Sequence, residues 1–173
     1  MGEGQASKAA LRRHFRIARN GLSQDQRIAA GESVAVQLMQ FIAHRPIRTV
    51  AVTRSLPGEL PTGPLISALE SSGVHLLIIP SAPATHPEDF QFETLKSEKE
   101  PTAEMMEVDL FVVPGLAFTV DGTRLGQGGG FFDRLLSRRR PDSLAVGTAY
   151  LIQKSDWLPL EPHDVPMDRV IFG

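Results

Sequence analysis

The chain is expected to fold as a three-layer α/β/α sandwich with a mainly parallel sheet, Rossmann-like in layering but without a G-x-G-x-x-G fingerprint. Three observations predict this. Short β-branched apolar runs alternate with amphipathic helical stretches along the sequence, as parallel βαβ architecture requires. The runs Val74-His-Leu-Leu-Ile-Ile-Pro80 and Val108-Asp-Leu-Phe-Val-Val-Pro114 are apolar enough to be strands covered on both faces. A length of 173 residues, 42% hydrophobic and 22% charged, suits one globular domain, so 1–173 is read as a single unit.

Ser7 is a candidate N-cap for a helix over Lys8–Arg19, with Leu11, Phe15 and Ala18 on one stripe and Asn20-Gly21 ending it. Ser23-Gln-Asp-Gln26 has the form of a capping box and opens a second helix to about Phe41, with Val34, Leu38 and Phe41-Ile42 as its apolar face. Thr49–Thr53 reads as a strand, Pro57–Pro61 as a loop, and Thr62–Glu70 as a helix ending near Gly73. The strand at 74–80 follows. Residues 81–107 are polar and rich in Pro and Glu, and read as a surface excursion with Phe90 and Phe92 as anchors. The strand 108–113 comes next, then a helix from Phe132 whose end Arg138-Arg139-Arg140 would complement the helix dipole. Strands at Leu144–Tyr150 and Arg169–Phe172 complete the pattern.

Composition excludes several function classes. A net charge of −2 gives no nucleic-acid footprint and no preference for a membrane surface. The absence of cysteine removes disulfides, thiolate catalysis and cysteine zinc sites. Met1–Ala6 lacks a signal core, and no apolar run approaches the roughly 18 residues of a membrane span. A cytoplasmic monomer is expected, with neither nucleic acid nor membrane as partner.

The stretch richest in chemical information is Arg124-Leu-Gly-Gln-Gly-Gly-Gly-Phe-Phe-Asp-Arg134. Glycines at 126, 128, 129 and 130 can present consecutive backbone N–H groups and admit a ligand to contact distance. A strand precedes the run and a helix start follows it, so an anion bound there would also face a helix N-terminus. Arg124 on one side and Asp133-Arg134 on the other supply a charge clamp and a metal-ligand candidate. The run is no Walker P-loop, because no Gly-Lys-Ser/Thr follows.

Other polar groups are less specific. Lys8 and Arg12, four apart, share one helix face and could close on one polyanion, or form a solvated basic face. Glu59 sits in a loop after a strand, where ligand contacts are common. His163-Asp164 and Asp168 offer a metal carboxylate or simple turn chemistry. Tyr150 and Trp157 suit core and ligand platform equally. The remaining histidines show no metal spacing, and hydrolase and zinc-protease motifs are absent from the sequence.

Taken in order, these segments resemble the 5-formyltetrahydrofolate cyclo-ligase family over nearly the whole chain. The resemblance rests on Lys8-x-x-Leu-Arg12, Arg54 to Thr62 with Glu59, Glu100-Pro101, and Val113-Pro-Gly-Leu-Ala-Phe118. It continues through Gly122-x-Arg-Leu-Gly-x-Gly-Gly-Gly-Phe-Phe-Asp-Arg134, Val146-Gly-x-Ala-Tyr-x-x-Gln153 and Glu161-x-His-Asp164 with Asp168. The segment Val113–Phe118 followed by Gly122–Arg134 is the signature and the most specific part. This chain departs from the family pattern at Gln127, Phe131 and Phe132, where tyrosines are usual, at Pro61 in place of an acid, and at Thr119 in place of Asp.

The resemblance implies conversion of 5-formyltetrahydrofolate to 5,10-methenyltetrahydrofolate with release of ADP and phosphate. ATP is the co-substrate, Mg²⁺ the cofactor, and the folate is free or polyglutamylated. The formyl oxygen would be phosphorylated and N10 would close the ring. A non-catalytic nucleotide- or folate-binding member is the alternative. By the same resemblance, Lys8, Ala9, Ala10, Leu11, Arg12, Arg124, Leu125, Gly126, Gln127, Gly128, Gly129, Gly130, Phe131 and Phe132 would contact ATP, with Lys8 and Arg124 catalytic. Arg54, Glu59 and Gln127 to Phe131 would contact folate; Asp133 and Asp164 would bind the metal.

Overall fold

The computed structural model describes residues 7–80 and 105–173. Most of the expected surface excursion, including Phe90, Phe92 and Glu100-Pro101, lies outside the described residues. In chain order the elements are α1 (Lys8–Asn20), α2 (Gln24–Ile42), β1 (Thr49–Thr53), α3 (Gly63–Ser71), β2 (His75–Ile79), β3 (Leu110–Pro114), β4 (Ala117–Phe118), β5 (Arg124–Leu125), α4 (Phe131–Leu136), β6 (Leu144–Ala149) and β7 (Arg169–Phe172).

The helix starts follow their capping residues. Ser7 Oγ accepts from Ala10 N at 3.2 Å. Ser23 Oγ accepts from Gln26 N at 3.2 Å while Gln26 Oε1 accepts from Ser23 N at 2.9 Å, closing the reciprocal box. Thr62 does not cap α3; its hydroxyl instead accepts from Ser55 N at 2.9 Å, tying the 55–62 loop into a closed turn.

A five-stranded sheet of order β2-β1-β3-β6-β7 is parallel throughout. Alternate residues face opposite sides. Val50, Val52, Leu110, Val112 and Val146 pack with Val34, Leu38, Leu65 and Leu69 of α2 and α3. Ala51, Leu77, Phe111, Val113 and Ala145 cluster with Leu135 and Leu136 of α4 and with Met167. These two apolar layers make the expected sandwich.

A feature the sequence reading lacked is the antiparallel ribbon β4–β5, paired as Ala117↔Leu125 and Phe118↔Arg124. Phe118 seats this ribbon on the sheet. Its ring lies 2.6 Å from where a Cβ on Gly115 would stand and 2.5 Å from one on Gly147, so both positions need glycine for close approach. Gln153, inside the 146–153 motif, is buried; its amide donates to Gly115 O and Leu116 O, each at 2.9 Å, and its Oε1 accepts from Tyr150 N at 3.0 Å. Tyr150 is core, and its hydroxyl donates to Glu59 O at 2.8 Å.

The arginine triplet differs from expectation. α4 ends at Leu136, so Arg138–Arg140 follow the helix rather than closing it. Arg139 pairs with Asp168 at 2.7 Å, and Arg140 with Asp109 at 2.7 Å and Asp142 at 2.6 Å. Discrete carboxylates within reach outcompete the weak field of a six-residue helix. Among the described residues no helix is long and apolar enough to cross a membrane.

Asp109 accepts from Arg48 N at 2.8 Å and Thr49 N at 3.0 Å, fixing the start of β1 beside β3. Burial pushes its pKa up, but these N–H donors and Arg140 outweigh that and hold it below the ordinary carboxylate value. A depressed folded pKa gives stability that is present above the unfolded pKa of about 3.9 and is lost as pH falls through the folded value. Asp109→Asn should therefore lower unfolding free energy by about 1–3 kcal/mol at pH 7, with the difference shrinking below about pH 4, in urea titrations across that range.

Candidate functional site

Proceeding from β1, the chain moves outward to β2, then returns across β1 to β3 and continues to β6 and β7. The strand order therefore reverses between β1 and β3, and the crevice beyond their C-terminal ends is where open parallel sheets take ligands. A cleft of about 530 Å³ opens there. Thr53 and Arg54 line it at the end of β1, Pro80 from after β2, and Pro114-Gly115 at the end of β3; the glycine loop, α1 and the 161–164 segment line the rest.

The glycine loop has a built geometry. Gly128 and Gly130 have φ of 111° and 64°, a left-handed region that other residues enter only with strain. The loop's outward oxygens are held by arginines. Arg12 Nε donates to Gly126 O at 2.9 Å, Arg134 to Gly129 O at 2.8 Å, and Arg16 to the Gln127 side-chain oxygen at 2.9 Å. Among the described residues, no amide from Gly126 to Gly130 donates a hydrogen bond within the protein. A Cβ on Gly129 would meet no atom, so the loop is open at its tip. Unused N–H groups beside guanidinium charge make an anion cradle.

Arg124 lies beneath the loop, buried, with Nη2 3.0 Å from Asp133 Oδ2. Burial pulls its pKa down, opposed by the charge and hydrogen bond of Asp133. Its Nε is buried without a partner. Phe132 lies under its guanidinium at 5.4 Å, and Phe131 stands edge-on to Phe132 at 5.1 Å. Asp133 also accepts from Val165 N at 3.2 Å through Oδ1, which joins α4 to the 161–165 segment.

That segment delivers Asp164 to Lys8. Lys8 Nζ lies 2.8 Å from Asp164 Oδ2 and 3.2 Å from Glu161 Oε2. Burial lowers the lysine pKa, but hydrogen bonds and charge from Asp164 and Glu161 prevail and raise it. Asp164 is correspondingly lowered, burial being outweighed by Lys8 and the Glu161 amide. Ligand atoms of Glu161, His163 and Asp164 lie within 4.8 Å of one another. Hard carboxylate oxygens beside an anion cradle suit a small divalent cation.

The structure thus brings Lys8, Arg12, Arg54, Glu59, Arg124, Leu125, Gln127, Phe131, Phe132, Asp133, Asp164 and the loop glycines into one cleft. It does not bring Ala9, Ala10 or Leu11, which do not line it; Ala9 and Ala10 are exposed, and Leu11 packs beside Phe15 and Leu116. Asp168 accepts from Ala145 N at 2.7 Å and serves the sheet instead. Trp157 is exposed outside the cleft lining. Glu161, quoted only within a motif, stands with His163 and Asp164, and Thr53 and Gly115 were missed because strand ends carry no compositional mark.

The family model for the 5-formyltetrahydrofolate cyclo-ligase family matches residues 4–173. The chain is 31% identical to the 5-formyltetrahydrofolate cyclo-ligase of Haemophilus influenzae, covering 94% of this chain and 96% of that protein. It is also 31% identical to the Escherichia coli K12 protein of that name, over 91% of this chain and 95% of the relative. Among solved structures, a 5,10-methenyltetrahydrofolate synthetase from Mycoplasma pneumoniae superposes with TM-score 0.79 at 25% identity, covering 96% of this chain and 98% of that one.

The two loop glycines should respond differently to substitution. Gly130→Ala, at φ 64° with Arg134 only 2.9 Å from the new Cβ, should cost about 1–2 kcal/mol of stability. Gly129→Val should leave the melting temperature unchanged and abolish tripolyphosphate binding. Calorimetry beside thermal melts of both variants checks this.

Proposed function

Because the chain belongs to the 5-formyltetrahydrofolate cyclo-ligase family and is an enzyme of that activity, we propose that it uses Mg²⁺ and ATP to phosphorylate the formyl oxygen of its folate substrate before ring closure. A formamide oxygen is a weak nucleophile, and hydroxide is a poor leaving group. Attack of that oxygen on the γ-phosphorus forms a C–O–P linkage, breaks the β–γ bridge and releases ADP. N10 then attacks the formyl carbon, its proton leaves, the C–O bond breaks and inorganic phosphate departs as the imidazolinium closes. No covalent enzyme nucleophile is needed. The protein has to hold two substrates in line and offset the triphosphate charge.

The observation that carries this reading is that one cleft gathers two kinds of group. It is lined by the open loop amides with Lys8, Arg12 and Arg124 and also by Arg54 and Glu59 of the 54–62 loop. Lys8, Arg12, Arg124 and the amides from Gly126 to Gly130 hold the triphosphate. Glu59, with Arg54, contacts the folate. Phe131 offers an aromatic face between the two substrates. Lys8 and Arg124 are the catalytic cations in this reading, stabilising the charge that grows on the transferring phosphoryl group. Asp133 and Asp164 would hold Mg²⁺, which would neutralise phosphate charge; the ligand atoms of Glu161 and His163 lie within 4.8 Å of that of Asp164. In this reading the protein acts as a monomer, on the folate with or without a polyglutamate tail.

Purified protein with Mg-ATP and 5-formyltetrahydrofolate should accumulate the near-ultraviolet absorbance of the methenyl product, and none should appear without ATP. Absence of product beside an active family relative would refute the proposal. Lys8→Ala should raise the KM for ATP about tenfold to a hundredfold, the loss of one charge-assisted contact of about 1.5–3 kcal/mol, with the folate KM unchanged. Asp164→Asn should raise the Mg²⁺ requirement without lowering the melting temperature by more than a few degrees. Asp133→Asn should raise the Mg²⁺ requirement and also lower the melting temperature, because Arg124 then loses its buried partner.

A further inference from the structure

Lys8, Arg12, Phe15 and Arg19 recur at spacings of four, three and four, so α1 presents all of them on one face. From Lys8 to Arg19 that face runs about 16 Å at the helical rise. Lys8 and Arg12 stand at the glycine-loop end. Arg19 stands at the other, beside the 54–62 loop, where its Nη2 lies 3.9 Å from the Cβ position of Gly58.

Arg19 is an anomaly in energetic terms. It is only 8% exposed, its Nε is buried with no hydrogen-bond partner, and among the described residues no group accepts from its other guanidinium nitrogens. A desolvated guanidinium left unpaired costs stability in the empty protein. Glu59 lies near enough to favour its charge, though burial prevails and lowers its pKa. Arg19 and Glu59 line a niche of about 10 Å³ together with Thr53, Thr62 and Gln153. Thr53, Glu59, Pro114 and Gly115 line both this niche and the main cleft. The volume admits a single oxygen atom.

We propose that Arg19 donates to the 4-oxo oxygen of the substrate's pterin ring, while Glu59 accepts from the N3–H and 2-amino groups beside it. This rests on the folate reading of the 54–62 loop. The pterin edge presents two donors followed by one acceptor. A carboxylate next to a guanidinium matches that order, and an oxygen is the one part of the edge that fits the niche. The same pair penalises a pteridine with an amino group at position 4, because its donors would meet those of Arg19. Arg19 is then a specificity-determining residue, and its unpaired guanidinium is the donor that the 4-oxo oxygen meets.

The test is calorimetric titration, without ATP, of the wild type, Arg19→Met, Arg19→Lys and Glu59→Gln with 5-formyltetrahydrofolate and its 4-amino counterpart, beside thermal melts. Arg19→Met should lose about tenfold to a hundredfold in affinity for the 4-oxo compound, and its preference over the 4-amino compound should fall to about twofold. Its melting temperature should be unchanged or higher, because an unpaired buried charge has gone. Arg19→Lys should keep part of the preference. If Glu59→Gln weakens folate but both Arg19 variants keep full affinity and preference, the niche holds only water and this inference fails while the loop reading stands. If the Arg19 variants melt lower and lose both compounds equally, Arg19 is structural and the inference fails. Full affinity in all three variants would remove folate from the loop and overturn both readings.

Discussion

The buried pair of Arg124 and Asp133 sets the spacing of everything around it. A guanidinium withdrawn from water needs a close anion, and Asp133 is brought to it by α4, which can start only because Gly130 turns left-handed. The second oxygen of Asp133 holds Val165 N, which carries the 161–165 segment across to the loop. Asp164 then meets Lys8 at the opposite wall. One desolvated contact thus fixes the glycine loop, α4, the C-terminal segment and the first turn of α1 in mutual register. Removing its carboxylate disturbs four elements at once.

What was legible in the sequence was local. Ser7 and the Ser23–Gln26 box announced two helix starts because capping is a contact between near neighbours. Continuous apolar runs gave the strands because a doubly covered strand has no polar face to alternate. The ribbon β4–β5 was illegible: two residues per strand carry no period, and its pairing depends on Phe118 finding space above two distant glycines. Arg139 and Arg140 were misread because Asp168 and Asp109, which they pair with, lie about 30 residues away along the chain. In the site, the glycine loop and the Lys8–Arg12 pair were visible as spacing. Arg19 extends that same spacing, yet a third cation on a helix face carries no sign of burial until the helix is packed.

The departures from the family's usual residues have individual accommodations. Gln127 does not hang free in solvent; its side chain takes a hydrogen bond from Arg16 and couples the loop to α1. Phe131 and Phe132 meet edge to face, which a phenol hydroxyl is not needed to maintain. Thr119 bonds Asp121 and accepts from Thr123 N, closing the turn between the ribbon strands. Pro61 lies against Gly31 of α2, where a Cβ would come within 2.8 Å of its carbonyl oxygen. Arg27 draws the same loop inward by donating to Gly58 O at 2.9 Å and to Arg19 O at 2.8 Å. The 54–62 loop is thereby held by contacts from α2, while Glu59, which lines the cleft, accepts from Leu56 N at 3.0 Å through Oε2.

The seat of Phe118 makes residues 115, 118 and 147 one steric unit despite their separation in the chain. A methyl group at either glycine would overlap the ring, and trimming the ring alone would leave a void over the sheet. Neither half of such an exchange is tolerable by itself, whereas the two together could conserve volume. Substitution at these three positions is consequently coupled: a smaller side chain at 118 is the background in which alanine at 115 or 147 becomes sterically accessible.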